Sequence, residues 1–197
     1  MENPTFVVPL IAAALAVVLA IAFFVSRSRK ERFLALGQLL DERPRQAAGF
    51  FTLSLEGHYR ERPARFRLVP GGKNQPPRFH AALGCGTSIS FDIYHQNFLT
   101  RIGAALKLVK DLEIGDPNLD PEYVFSCRDE APFASWLRGS GEARDALKRL
   151  MDDRRVEHLR LREGFLEAIR TCRSREVTDP DNVRPVMDDL ERLVRTL

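Results

Sequence analysis

Gly84-Cys85-Gly86-Thr87-Ser88 is the segment whose residue types come closest to reaction chemistry. A glycine-flanked backbone can cradle an anion, and Cys85 can serve as a nucleophile. A phosphate loop also needs a lysine and a following helix, which this segment lacks. A working thiol needs a base to lower its pKa, with His80 and His95 the candidates if a sheet brings them near. The composition otherwise fits a hairpin turn with an incidental cysteine. Gly115-Asp116-Pro117-Asn118-Leu119-Asp120 offers Asp116 and Asp120 to Ca²⁺ or Mg²⁺, but without the alternating ligands and distant bidentate Glu of an EF-hand loop. Asp and Asn beside proline also form turns by bonding the local backbone. His58, His80, His95 and His158 have neither HxH nor HExxH spacing, and no GxSxG elbow occurs. Arg60 and Arg62, Arg65 and Arg67, then Arg160 and Arg162 stand in pairs two residues apart. They suit phosphate or an acidic partner, and equally a solvated sheet face that resists edge-to-edge pairing. The solvated face is the expectation. No catalytic, cofactor-binding or metal-ligating residue is assigned, and no cofactor is expected.

The elements that must position these residues follow an appendage. Of 197 residues, the twenty from Phe6 to Val25 (FVVPLIAAALAVVLAIAFFV) carry no charge. As a helix they span roughly 30 Å, the thickness of a bilayer's hydrocarbon core. A cleaved signal peptide would need a positive leading region, a shorter apolar run and a small-residue cleavage site; here Glu2 is the only preceding charge and Phe23, Phe24 and Val25 end the run. Arg27, Arg29, Lys30 and Arg32 follow at once, so the expected orientation is N-terminus outside and C-terminal domain cytoplasmic, with these four cations next to the lipid. Three widely spaced cysteines, Cys85, Cys127 and Cys172, suit a reducing compartment. Ala12, Ala16 and Ala20 form a small-residue stripe able to pack two helices, and Pro9 falls in the first turn.

With 30 Lys and Arg against 27 Asp and Glu, the chain carries mixed, nearly balanced charge. That excludes a disordered tail and a strongly basic nucleic-acid binder. The layout excludes a free soluble enzyme, a multi-pass transporter, a coiled-coil rod and a disulfide scaffold. We divide it into an anchor with a short tail at 1–25, a basic juxtamembrane helix or linker at 26–45, and one α+β domain at 46–197. Phe33, Leu36, Leu39 and Leu40 continue the anchor helix toward Arg43-Pro44. Phe51, Leu53, Leu55 and Tyr59 then alternate and pair with Arg65–Leu68 through a turn at Glu61-Arg62-Pro63. Gly71–Pro77 reads as a loop, and Phe79–Leu83 and Ile89–Ile93 as strands joined through Gly84-Cys85-Gly86. Phe98, Ile102, Leu106 and Val109 have helical spacing, and Tyr123–Cys127 is a short strand. Two helices follow, one behind Asp129 with Phe133, Trp136 and Leu137 on a face, the next capped by Ser140. His158–Arg162 and Phe165–Ile169 form a hairpin about Gly164. Asp179-Pro180 starts a final helix with Val183, Val186, Met187, Leu190, Leu193, Val194 and Leu197 on one stripe, leaving Asp188, Asp189, Glu191, Arg192 and Arg195 for the rest. Grouped strands followed by mixed helices and strands argue an antiparallel sheet with helices on one face.

Gly57-His58-Tyr59-Arg60-Glu61-Arg62-Pro63 and Ile114-Gly115-Asp116-Pro117-Asn118-Leu119-Asp120-Pro121-Glu122-Tyr123-Val124-Phe125-Ser126 carry a resemblance. Together they resemble a loose set of uncharacterised, mostly bacterial proteins with an N-terminal membrane segment and one such domain. The likeness covers about residues 50–170, and this chain has Leu119 where those proteins usually have an aromatic residue. The resemblance implies the architecture and no activity. The function expected is a single-pass membrane protein whose domain binds a protein partner or self-associates, with no nucleic acid and no identifiable small-molecule substrate. The alternatives are an enzyme on a membrane-adjacent substrate, using Cys85 or the Asp116/Asp120 pair, and a sensor of anionic lipid using the juxtamembrane cations and the Arg-bearing hairpin.

Overall fold

In the computed structural model, which describes residues 17, 20, 27–28, 30–48, 52–73, 75–87, 89–96, 112–172 and 175–197, the alternating segments join one eight-stranded antiparallel sheet. Its strands are β1 (Arg45–Ala48), β2 (Leu53–Tyr59), β3 (Arg62–Val69), β4 (Arg78–Gly84), β5 (Phe91–His95), β6 (Tyr123–Cys127), β7 (His158–Arg162) and β8 (Phe165–Thr171). Their spatial order is β1-β2-β3-β4-β8-β7-β5-β6. The helices that pack on the sheet include α1 (Glu130–Gly139), α2 (Gly141–Lys148) and α3 (Pro180–Thr196). The expected α+β class with an antiparallel sheet is present.

Alternation decides which side of the sheet is dry. Leu55, Phe66, Phe79, Leu83, Leu166, Leu159, Ile93 and Phe125 face one way and are fully buried. Their core also takes Phe133 and Leu137 of α1, Ala146 and Leu147 of α2, and Val183, Val186, Met187, Leu190 and Leu193 of α3. Ala81 and Ala168 lie directly opposite each other on β4 and β8, and α3 packs against these two strands. Small side chains at the centre let the helix approach closely. Local chemistry starts the helices: Ser140 Oγ accepts the Ala143 N–H at 3.1 Å, and the Asp179 carboxylate accepts the Asp181 N–H at 3.0 Å ahead of Pro180. Trp136 Nε1 donates to Thr196 Oγ1 at 3.1 Å, tying α1 to the last turn of α3.

Four expectations need correction. The β2–β3 turn sits at Arg60 and Glu61, with φ of 49° and 67°, so Pro63 belongs to β3 and not to the turn. The strand expected at Ile89–Ile93 starts at Phe91 and does not pair with β4. Instead the Cys85 N–H donates to the Gly164 carbonyl at 2.7 Å, and the β7–β8 hairpin inserts beside β4. β8 suits that central place because Leu166, Glu167, Ala168 and Ile169 are all buried, which requires cover on both faces. Of the stretch taken as a linker, the last residue, Arg45, already belongs to β1 (Arg45–Ala48). Finally, the packed unit does not begin at Gln46. Residues 30–35 are helical, a 3-10 turn follows at Leu36–Leu39, and Phe33, Leu36, Leu39 and Leu40 belong to the core. Leu40 lies over Gly57, where an added Cβ would come within 3.1 Å of Leu40 Cδ1. The Asp41 N–H donates to the His58 carbonyl at 2.8 Å, fastening this segment to β2.

Among the described residues no helix is long and apolar enough to cross a membrane. The expected anchor lies almost wholly outside them; of it, Val17 and Ala20 are described, both helical and exposed. The helix expected around Phe98, Ile102, Leu106 and Val109 lies outside the described residues too.

Candidate functional site

The sheet face opposite the core carries the chemistry. Register places Arg67, His80, Glu167, Arg160, His158, Asp92, Tyr94 and Arg162 on it, spread over β3, β4, β8, β7 and β5. Ala82, Val124 and Ile169 share this face; they are buried yet stand outside the core cluster. The polar groups among them form two imidazole–carboxylate–guanidinium units.

In the first, His80 Nδ1 lies 2.9 Å from Glu167 Oε1, and Arg160 Nε donates to Glu167 Oε2. Burial alone would push the Glu167 carboxyl up. The His80 bond and the Arg160 charge outweigh it and hold the carboxyl at about 2, so it is ionised at neutral pH. In the second, His158 Nε2 lies 2.7 Å from Asp92 Oδ1 and Arg162 Nη2 donates to Asp92 Oδ2 at 2.7 Å. Burial opposes ionisation of Asp92 too, and its two partners again win and lower it. His158 moves the other way. Burial lowers its pKa despite the neighbouring carboxylate, so the ring is neutral at pH 7 and donates its Nε2 proton to Asp92. The permanent charge balancing Asp92 is therefore the Arg162 guanidinium. Tyr94 stacks on the His158 ring at 4.2 Å, and burial raises its hydroxyl pKa.

Each ring is thus fixed through one nitrogen, as in an acid–base relay. A relay also needs a nucleophile or substrate proton at the other nitrogen. Among the described residues neither ring is hydrogen-bonded to a Ser, Thr or Cys. What the face offers is a rigid pattern of donors and acceptors whose charges are mutually compensated. Beside it, a groove of about 290 Å³ opens between β1, the β2–β3 hairpin and Phe165, and Arg65 covers the Phe165 ring at 4.7 Å.

The residues singled out by sequence fall in different places. Cys85 ends β4, half-buried, and burial pushes its thiol pKa up, opposite to what a nucleophile needs. His80 is five residues earlier, roughly 16 Å along an extended strand. Its Nδ1 is engaged by Glu167, so the sheet does not assemble a thiol–imidazole pair from these two. Asp120 accepts the N–H groups of Ile114, Gly115 and Asp116 at 2.8–3.1 Å, while Asp116 accepts from Asn118 N–H and faces Arg144 at 3.7 Å. The pair builds a turn from its oxygens. Leu119, in the aromatic's place, is buried in the core. His95 faces Asp152 at 3.9 Å and packs edge-on against Tyr123. Of the lipid-proximal cations, Arg27 pairs with Glu31 at 2.9 Å, Lys30 is exposed, Arg32 is half-buried and Arg29 lies outside the described residues.

The arginines expected on a plain solvated face are mostly paired. Arg60 contacts Asp188 at 2.7 Å and Glu191 at 2.5 Å, Arg65 contacts Glu56 at 2.8 Å, and Arg160 and Arg162 serve the two units above. The acidic residues of α3 were expected to face solvent. Instead Asp189 is 1 % exposed and accepts from Arg149, Arg154 and Arg192 at 2.9, 3.3 and 2.8 Å. Glu191 is buried between Arg60 and Arg195, and the Tyr59 hydroxyl donates to Asp188 at 2.6 Å. Sequence held one signal for each group. Asp189 follows Val186 by three residues and Glu191 follows Met187 by four, bordering the apolar stripe. Glu167 stands between Leu166 and Ala168 in a run that is otherwise apolar.

Comparison with known protein families, curated proteins and solved structures finds no match to this chain.

Proposed function

We propose that this chain is a single-pass membrane protein, N-terminus outside and C-terminal domain cytoplasmic, whose α+β domain docks a protein partner or a second copy at the bilayer surface. The observation that carries the reading is the closeness of the core to the apolar run. Val25 ends that run and Phe33 is already buried in the domain core. Only eight positions separate Val25 from Phe33, about 12 Å at helical rise, so the chain between them is too short to carry the domain far from the bilayer. Arg27 and Glu31, paired one turn apart, support a helical junction through the cationic stretch. Val17, helical and 57 % exposed, fits a lipid-facing position. The compensated charge pattern of the outward sheet face favours recognition over bond-making chemistry. The loose family resembled through Gly57–Pro63 and Ile114–Ser126 has this layout.

A reporter fused after Leu197 tests the orientation: it is active as a cytoplasmic reporter and silent as an export reporter. Export activity would overturn the reading. Photo-crosslinkers at Arg67 and Tyr94 in native membranes then give a discrete adduct, whether with a partner or between copies. Monomer alone at both positions would count against docking on this face.

A further inference from the structure

The end of β8 carries a cation with a buried donor that finds no hydrogen-bond partner among the described residues. Arg170 stands opposite Phe79 in the β4–β8 register, so it leaves the sheet on the helix-bearing side. Its Nη1 is buried and has no hydrogen-bond partner among the described residues. Burial disfavours its charged form most, and the fields of Arg155 and Arg154, two more cations, add to that, against the opposing fields of Cys172 and Glu157. Arg154 is already shared with Arg149 and Arg192 around the single carboxylate of Asp189, so that cluster keeps an excess of positive charge. Glu157 is the carboxylate nearest in the turn, and it accepts the Thr171 hydroxyl at 2.6 Å.

The turn that presents these groups is rigid. The Val156 N–H donates to the Leu150 carbonyl at 3.0 Å and the Glu157 N–H to the Ile169 carbonyl at 3.0 Å, clamping residues 154–157 beside β8. Arg155 is exposed and held at a φ of 54°, a left-handed conformation disfavoured for a side chain of its size. A buried donor without a partner and like charges brought together both lower stability. An oxyanion seated among them relieves both costs at once, and guanidinium forks match the oxygens of a phosphate.

We propose that Arg154, Arg155 and Arg170 form a phosphate-binding site at the edge of the helix layer, which takes the phosphate group of a soluble ligand or of an anionic lipid headgroup. The site is separate from the outward sheet face, and its soluble arm does not depend on the membrane reading.

The test uses the full chain in detergent micelles. Inorganic phosphate is titrated against chloride at matched ionic strength, and the melting temperature is followed. Phosphate is expected to raise it beyond chloride. Arg155→Gln removes one of the crowded cations, so the melting temperature in chloride holds or rises while the phosphate response weakens about ten-fold. Arg170→Gln removes a charge that burial and two neighbouring cations disfavour, so the melting temperature in chloride holds or rises while the phosphate response is lost. In nanodiscs, protection of the turn from hydrogen exchange by phosphatidylglycerol but not phosphatidylcholine, abolished in Arg155→Gln, assigns a headgroup. A phosphate response without lipid protection assigns a soluble ligand. No excess of phosphate over chloride together with no lipid protection overturns the site. So does an Arg170→Gln variant that melts lower in chloride and keeps its phosphate response, since that is the behaviour of a purely structural arginine.

Discussion

Replacing Asp189 by Asn isolates what the buried acid on α3 contributes. The carboxylate is 1 % exposed and takes guanidinium donors from Arg149 and Arg154, which hold α3 against the segment leading to β7, and from Arg192 one turn along α3 itself. Asparagine keeps the shape and one acceptor oxygen but removes the charge, leaving three cations crowded together. Breaking a buried ion pair costs about 3–5 kcal/mol when the remaining charge stays dry. Here the arginine side chains are 33, 35 and 48 % exposed, so they regain part of their hydration. That brings the cost below this range, to about 2–3 kcal/mol. For a domain of this size it corresponds to a melting temperature lower by roughly 4–12 °C. Circular dichroism of the full chain in micelles measures it, with Asp181→Asn in the exposed first turn as a control. The deficit persists at high salt, because a buried pair is weakly screened. A change below about 0.5 kcal/mol, or one that vanishes at 1 M salt, would refute the claim that this carboxylate organises the interface.

Leu190 is fully buried between α3 and the sheet, so Leu190→Ala leaves a cavity and costs about 2–5 kcal/mol by urea denaturation. Gly57→Ala sets a Cβ 3.1 Å from Leu40 Cδ1; it loosens the Phe33–Leu40 segment and opens that stretch to limited proteolysis, and a domain starting at Gln46 unfolds more readily than one starting before Phe33. Stability falls on acidification in two stages. His158 is held below its usual value, so from about pH 6.5 downward the unfolded chain takes up a proton that the fold resists. Glu167, ordinarily near 4.5 and held at about 2, contributes roughly 3 kcal/mol above pH 4.5, and that contribution is lost as pH falls toward 2. Glu167→Gln flattens the second stage in a pH series of thermal melts, and an unchanged acid limb would contradict the ionised assignment.

Periodicities were legible in the sequence wherever a residue's environment is decided by its near neighbours. Leu55 and Tyr59 alternate with polar residues because one face of β2 is dry. Ser140 and Asp179 cap helices through bonds spanning two or three residues, and Gly164 at a φ of 75° turns β7 into β8. The final helix was readable from its stripe for the same reason. Partnerships between distant segments were not, because nothing local encodes them. The β7–β8 hairpin inserts between β4 and β5, although Gly84-Cys85-Gly86 reads as a simple link between those strands. That insertion brings Glu167 between His80 and Arg160, and it sets His158 and Arg162 beside Asp92. The buried acids on α3 depend in the same way on arginines up to 131 residues away in the chain. A charge's burial is set by whichever counter-charge the tertiary packing delivers, so composition could count these ions but only the folded chain could pair them, and only it could leave the Arg170 Nη1 without a hydrogen-bond partner among the described residues.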